Sequence, residues 1–126
     1  MKYKIKLVLM VFLMPMIFGE EMAMADKAGE GVYLIINFDV RPEKQAEFEE
    51  IMQGVSVSMQ SEDGFEEAFV FLDGDNPNRF TLIERWTSRS LHHEHYERIV
   101  KSGDWAHILS LLKAEPELSY TRLFAR

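Results

Sequence analysis

Glu84, Trp86, His92 and His95 fall within one stretch, residues 80–99 (FTLIERWTSRSLHHEHYERI), and are the side chains whose types and spacing best suit chemistry. The stretch reads as a strand, a turn at Thr87 and Ser88, and a helix carrying three of the four histidines. Strand alternation sets Phe80, Leu82, Glu84 and Trp86 on one face, so a carboxyl and an indole share an apolar surface. Helical spacing sets His95 between Leu91 and Ile99 on the stripe that faces the sheet. A histidine there with a tuned pKa suits the work of a general base. The plainer reading of His95 is a structural histidine hydrogen-bonded inside the fold.

The neighbours divide in the same way. His92 lies near the same face and either assists His95 or caps its edge, whereas His93 points with Glu97 and Lys101 to solvent. A zinc site built on His92 and His95 would need further ligands, and none is expected. Trp86 is either a flat wall for an aromatic substrate or plain core. Glu84, if buried, is paired with an arginine such as Arg122 or is protonated and able to act as acid or base, pairing being the expected state. Asn37 is a candidate to orient a substrate oxygen, or else a hydrogen-bonding residue at a subunit interface. Tyr96, beside His95, completes the substrate-binding candidates.

The elements that must position these groups follow from periodicity. Residues 32–40 alternate as a strand, with Val32, Leu34, Ile36, Phe38 and Val40 on one face and Tyr33, Ile35, Asn37 and Asp39 on the other. Pro42 opens a helix whose apolar stripe is Phe48, Ile51, Met52, Val55 and Met59. Gly64, after Glu62 and Asp63, closes that helix in a left-handed conformation. Residues 65–73 form a second strand, with Phe65, Phe69 and Phe71 opposed to Ala68, Val70 and Leu72, and the turn formers at 74–78 join it to the strand at 79–86. After the histidine-bearing helix, Asp104 caps a short helix with Trp105, Ile108, Leu109 and Leu112 inward. Pro116 stops it, and 118–124 form a last strand. This order is the ferredoxin-like split βαβ pattern, an α+β fold with one antiparallel sheet and helices on one side. Several strands are apolar on both faces, so the face without helices, with Ile35 and Ile83, calls for a partner, and sheet-on-sheet homodimerisation is the economical answer.

Lys2, Lys4 and Lys6 precede an apolar run over 7–18 and the small-residue pattern Ala23-Met24-Ala25, the layout of a signal peptide over 1–25 cleaved before Asp26. The run is shorter than the roughly 20 apolar residues that span a bilayer. The expectation is an exported protein, periplasmic or secreted, with one domain over 26–126 and no membrane contact after cleavage. With no cysteine, disulfides, thiolate ligands and a cysteine nucleophile are excluded. The mature part carries 11 basic and 19 acidic residues, a net charge of −8 that disfavours nucleic acid. No phosphate-binding glycine loop, dinucleotide fingerprint or serine elbow is present.

VRPEKQAEF, EDGFEEAFVF and LIERWTSRSLHHEHY, in that order, resemble the antibiotic biosynthesis monooxygenase family over nearly the whole mature chain. The family pattern of a glutamate two residues before a tryptophan, with a histidine nine residues after it, is matched by Glu84, Trp86 and His95. The resemblance implies a dimeric α+β barrel and a cofactor-independent oxidation of a small aromatic, a quinol or anthrone, by dioxygen. It implies His95 and Glu84 as catalytic residues, with Trp86, Asn37, His92 and Tyr96 around the substrate. Some relatives bind or degrade haem through a second-helix histidine with a strand-one asparagine and a tryptophan. Here Asn37 and His107 fall out of register for that role. The segment 96–104 is longer than in the family, so it either closes over a ligand or lengthens a helix.

Overall fold

The structure is a computed structural model that describes residues 31–126, so the expected signal peptide lies outside the described residues. Strand β1 (Val32–Asp39) runs into a 3-10 turn (Pro42–Lys44) and helix α1 (Gln45–Met59). Strands β2 (Phe65–Leu72) and β3 (Arg79–Trp86), helices α2 (Arg89–Ser102) and α3 (Asp104–Ser110), and strand β4 (Glu117–Thr121) complete the order. The four strands make one sheet in the order β2-β3-β1-β4, every pairing antiparallel. This is the ferredoxin-like α+β architecture expected from periodicity. Its central strands, β1 and β3, carry the residues that face the helices.

Alternation decides which residues those are. Leu34, Ile36 and Phe38 of β1 and Phe80, Leu82, Glu84 and Trp86 of β3 are all buried on the helix face. Phe48 of α1 inserts between Phe38 and Phe80, its ring centroid 5.0 Å from each. The turn before β3 is pinned by Asp73, whose Oδ2 accepts from the backbone N–H groups of Asp75 at 3.0 Å and Asn76 at 2.9 Å. Ser88 starts α2 by accepting the Leu91 N–H at 3.1 Å.

Three local expectations are corrected. Phe65 does not share the outer face with Phe69 and Phe71: a register shift between Phe65 and Glu67 turns it to pair with Trp86, their ring centroids 5.5 Å apart. Asp104 does not cap α3; Gly103 holds that position at φ 92°, and Asp104 Oδ2 instead accepts from the Ser102 hydroxyl at 2.9 Å. β4 ends at Thr121, leaving Arg122, Leu123 and Phe124 exposed beyond the sheet. The longer segment 96–104 extends α2 to Ser102, after which the left-handed Gly103 turns the chain into α3.

Candidate functional site

A cavity of about 330 Å³ lies between the helix face of the sheet and all three helices. Most of its wall is apolar, from Ile36, Leu82, Ile51, Val55, Ile99 and Ile108 among others. Its polar groups include Glu84, His92 and His95, where β3 and α2 meet. Glu84 reaches the cavity by strand alternation, and His92 and His95 by their spacing on one helical turn. The expected juxtaposition of Glu84 and His95 at one pocket is what the structure contains. Tyr96 also lines the cavity, with its ring 5.8 Å from that of Trp105, and burial pushes its phenol above the ordinary tyrosine value.

Of the two readings of Trp86, wall or core, the structure shows core. Trp86 is 0% exposed, does not line the cavity, and lies against both histidines, with ring centroids 5.3 Å from His92 and 5.1 Å from His95. Its indole N–H donates to Glu84 Oε1 at 2.8 Å. The partner of Glu84 is therefore this indole, and Arg122 lies exposed past the end of β4. Burial without a cation raises the Glu84 carboxyl to about 7, and the Trp86 hydrogen bond opposes part of that rise.

The two histidines have different surroundings. His92, 4% exposed, has Nδ1 2.6 Å from the Tyr120 hydroxyl and Nε2 3.8 Å from Glu84 Oε1. Burial first, and then the neighbouring histidines, push His92 down to about 3, so it is neutral at physiological pH. His95, 8% exposed, has Nδ1 3.4 Å from Glu62 Oε2, an electrostatic contact that lacks hydrogen-bond geometry. Burial lowers the His95 pKa while the Glu62 carboxylate pulls it up. Arg98 donates to Glu62 and holds that carboxyl below its ordinary range, against a smaller effect of burial. His93 is partly buried rather than fully solvated, and pairs with Glu97 at 3.0 Å as its helical spacing suggests.

Glu62 and Tyr120 are the functional-site residues that periodicity did not single out. Glu62 reads as part of a helix-ending turn, and its approach to His95 depends on how that turn sits against α2. Tyr120 had a usable signal, because Leu118 and Tyr120 alternate together and pair with Ile36 and Leu34 of the buried face. Asn37 is not brought to the site: it is exposed on the opposite sheet face, where its Oδ1 accepts from the Thr81 hydroxyl at 2.8 Å. His107, expected out of register, does line the cavity, at a rim where its Nε2 is 2.7 Å from Glu47 Oε2. The strand-one asparagine and the histidine of the haem pattern thus do not converge on one point. Among the described residues no group of three His, Asp or Glu is placed to hold a metal ion.

Comparison with known proteins agrees with this architecture. The family pattern described as antibiotic biosynthesis monooxygenase matches residues 31–107. Rv0793 from Mycobacterium tuberculosis is 20% identical and superposes with a TM-score of 0.67, over 77% of this chain and 98% of that one. A putative antibiotic biosynthesis monooxygenase from Nitrosomonas europaea is 19% identical, with a TM-score of 0.65, over 75% of this chain and 90% of that one. SnoaB, a cofactor-independent oxygenase from Streptomyces nogalater, is 19% identical, with a TM-score of 0.63, over 75% and 96%. At these identities the structural likeness is one of fold. No curated protein matches the chain in sequence. The family pattern covers more than half of the residues, including β1 to α2 and the Glu84, Trp86 and His95 constellation, and the chain belongs to the antibiotic biosynthesis monooxygenase family.

Proposed function

We propose that the cavity is the active site of a cofactor-independent monooxygenase that oxidises a small aromatic, a quinol or an anthrone, with dioxygen. The observation that carries this reading is an apolar cavity of about 330 Å³ in which Glu84, His92 and His95 are grouped in one part of the wall. That volume is at the small end for ligand sites and suits a compact ring system whose hydroxyl or carbonyl meets the polar groups. SnoaB, a family relative, bears the same description of cofactor-independent oxygenase.

His95 is the base in this reading, because Glu62 stabilises the imidazolium that forms, whereas His92 at about 3 is too weak. His95 takes the proton of the substrate hydroxyl or of its enol, and the electron-rich anion gives one electron to dioxygen. The resulting radical pair joins through a new carbon–oxygen bond, and the imidazolium proton goes to the substrate peroxide. Cleavage of the O–O bond and loss of the remaining hydrogen from the same carbon leave one oxygen as a carbonyl and release the other as water. Glu84, its carboxyl raised to about 7 and so partly protonated near neutral pH, hydrogen-bonds the substrate oxygen or returns a proton. Tyr96 contributes an aromatic edge to the wall.

We also propose a homodimer through the outer sheet face, where Phe69 pairs with Ile83 and Ile83 with Ile35, and where Phe69 and Phe71 are 51% and 53% exposed. Export through an amino-terminal signal peptide belongs to the same proposal, resting on residues 1–25.

The deciding experiment is oxygen uptake against a panel of hydroquinones and anthrones, corrected for spontaneous autoxidation, with His95→Ala alongside. Uptake above background that falls at least about a hundredfold in the folded variant supports the oxygenase. A folded protein that binds these compounds without uptake would be a binding module instead.

A further inference from the structure

We propose that His95 and His92 are held as opposite tautomers, His95 with its proton on Nδ1 and a basic Nε2, His92 with its proton on Nε2 as a hydrogen-bond donor. Glu62 and Tyr120 are the positioning residues that set this division. The catalytic consequence rests on the oxygenase reading, but the tautomers do not.

The argument comes from what each ring nitrogen faces. His95 Nδ1 is buried, with Glu62 Oε2 at 3.4 Å, and Glu62 is kept ionised by the Arg98 guanidinium. The contact is electrostatic and not a hydrogen bond, but a nitrogen lone pair beside a carboxylate oxygen is repelled and an N–H dipole is attracted, so the proton resides on Nδ1. Nε2 is then the nitrogen with the lone pair, on a side chain that lines the cavity.

His92 presents the reverse case. Its Nδ1 is 2.6 Å from the Tyr120 hydroxyl, and the Arg89 guanidinium carbon lies 4.1 Å from the centre of the Tyr120 ring. A nearby cation polarises the phenol as a donor, while burial keeps it protonated, its pKa raised to about 12. At the other end of the imidazole, Nε2 is 3.8 Å from Glu84 Oε1, an oxygen already accepting the Trp86 N–H at 2.8 Å. An oxygen that accepts one N–H is suited to attract a second and to repel a lone pair. Both ends therefore favour a phenol O–H donated to Nδ1 and a proton on Nε2.

One helical turn thereby carries a base and a donor of the same residue type. A substrate hydroxyl would lose its proton to His95, while His92, its N–H turned to Glu84, positions that carboxyl toward the oxyanion left behind. The division arises from partners on elements other than α2, since Glu62 follows α1 and Tyr120 belongs to β4.

The test is long-range proton–nitrogen correlation NMR on isotope-labelled histidines in the protein produced from its full-length sequence, at slightly alkaline pH. The expected spectrum assigns the proton to Nδ1 in His95 and to Nε2 in His92. Tyr120→Phe should convert His92 to a mixed population and leave His95 unchanged; Glu62→Ala should do the converse. The same tautomer in both wild-type rings overturns the proposal, as does either folded variant leaving its histidine unmoved. Should a variant fail to fold, the wild-type spectrum alone decides. Where oxygen uptake is measurable, Tyr120→Phe should lower kcat about tenfold with little change in KM. Absent uptake with the expected tautomers would overturn the oxygenase reading and leave this one standing.

Discussion

Trp86 donates its indole N–H to Glu84, two residues earlier on the same face of β3, at 2.8 Å, and both side chains are buried. The indole is a hydrogen-bond donor to that carboxyl, and its ring also supports His92 and His95. Trp86→Phe keeps an aromatic plane but removes the donor and part of the volume. The expected cost is about 2 to 4 kcal/mol, combining an unsatisfied buried oxygen with a small cavity. Urea unfolding checks this, and a loss below about 0.5 kcal/mol would mean that the hydrogen bond contributes little.

Glu84 gives a pH dependence of defined sign. Its folded-state pKa, about 7, lies above the ordinary carboxyl value, so the folded protein binds the extra proton between roughly pH 4.5 and 7. Stability from this group is present below that window and is lost as pH rises through it, by about 3 kcal/mol. His92, pushed down to about 3, acts oppositely and destabilises as pH falls below the ordinary histidine value. The clean measurement is therefore the difference between wild type and Glu84→Gln. The variant should gain on wild type as pH rises from 4.5 to 7.5, by about 3 kcal/mol. A difference independent of pH would show that Glu84 does not titrate there.

Phe71 tests the outer face. It is 53% exposed, and its row on the sheet continues through Thr81, Asn37 and Glu117. In a sheet-on-sheet dimer, Phe71→Glu would bury an unpaired carboxylate at the contact and shift the protein to monomer by at least about a hundredfold in dissociation constant. Sedimentation equilibrium reads this directly. A wild type that is monomeric at micromolar concentration would remove the dimer from consideration.

Gly64 couples the turn before β2 to the start of α2. Its φ is 86°, and a Cβ there would lie 2.6 Å from Leu91 Cδ1 and 2.8 Å from Leu91 Cβ. Gly64→Ala therefore adds backbone strain to a clash with a side chain one position before His92. The expected loss is about 2 to 4 kcal/mol by thermal or urea unfolding. A variant as stable as wild type would mean that the turn relaxes at no cost.

Much of the fold was legible because side-chain direction follows from local backbone geometry. The period of two in 80–86 placed Glu84 and Trp86 together on the buried face. The period of 3.6 in 89–99 placed His95 on the inward stripe, and Gly64 declared a left-handed turn, although α1 ends at Met59 and the glycine closes the turn after it. A register shift is not written in alternation, so Phe65 reads as an outer-face residue and only the pairing of β2 with β3 turns it inward.

By itself the sequence determined the order of elements, the helix-facing residues of the central strands, and the presence of Glu84 and His95 on surfaces that meet. Only the tertiary structure decided what each of these groups touches. His92 finds Tyr120 because β4 pairs with β1, and His95 finds Glu62 because the turn that follows α1 lies against α2. Trp86 lies beneath the histidines rather than in the cavity wall, since the helices close over it. The physical reason is one of range. Periodicity fixes direction within a strand or helix, whereas partnership across 28 residues, as between His92 and Tyr120, depends on sheet register and helix packing.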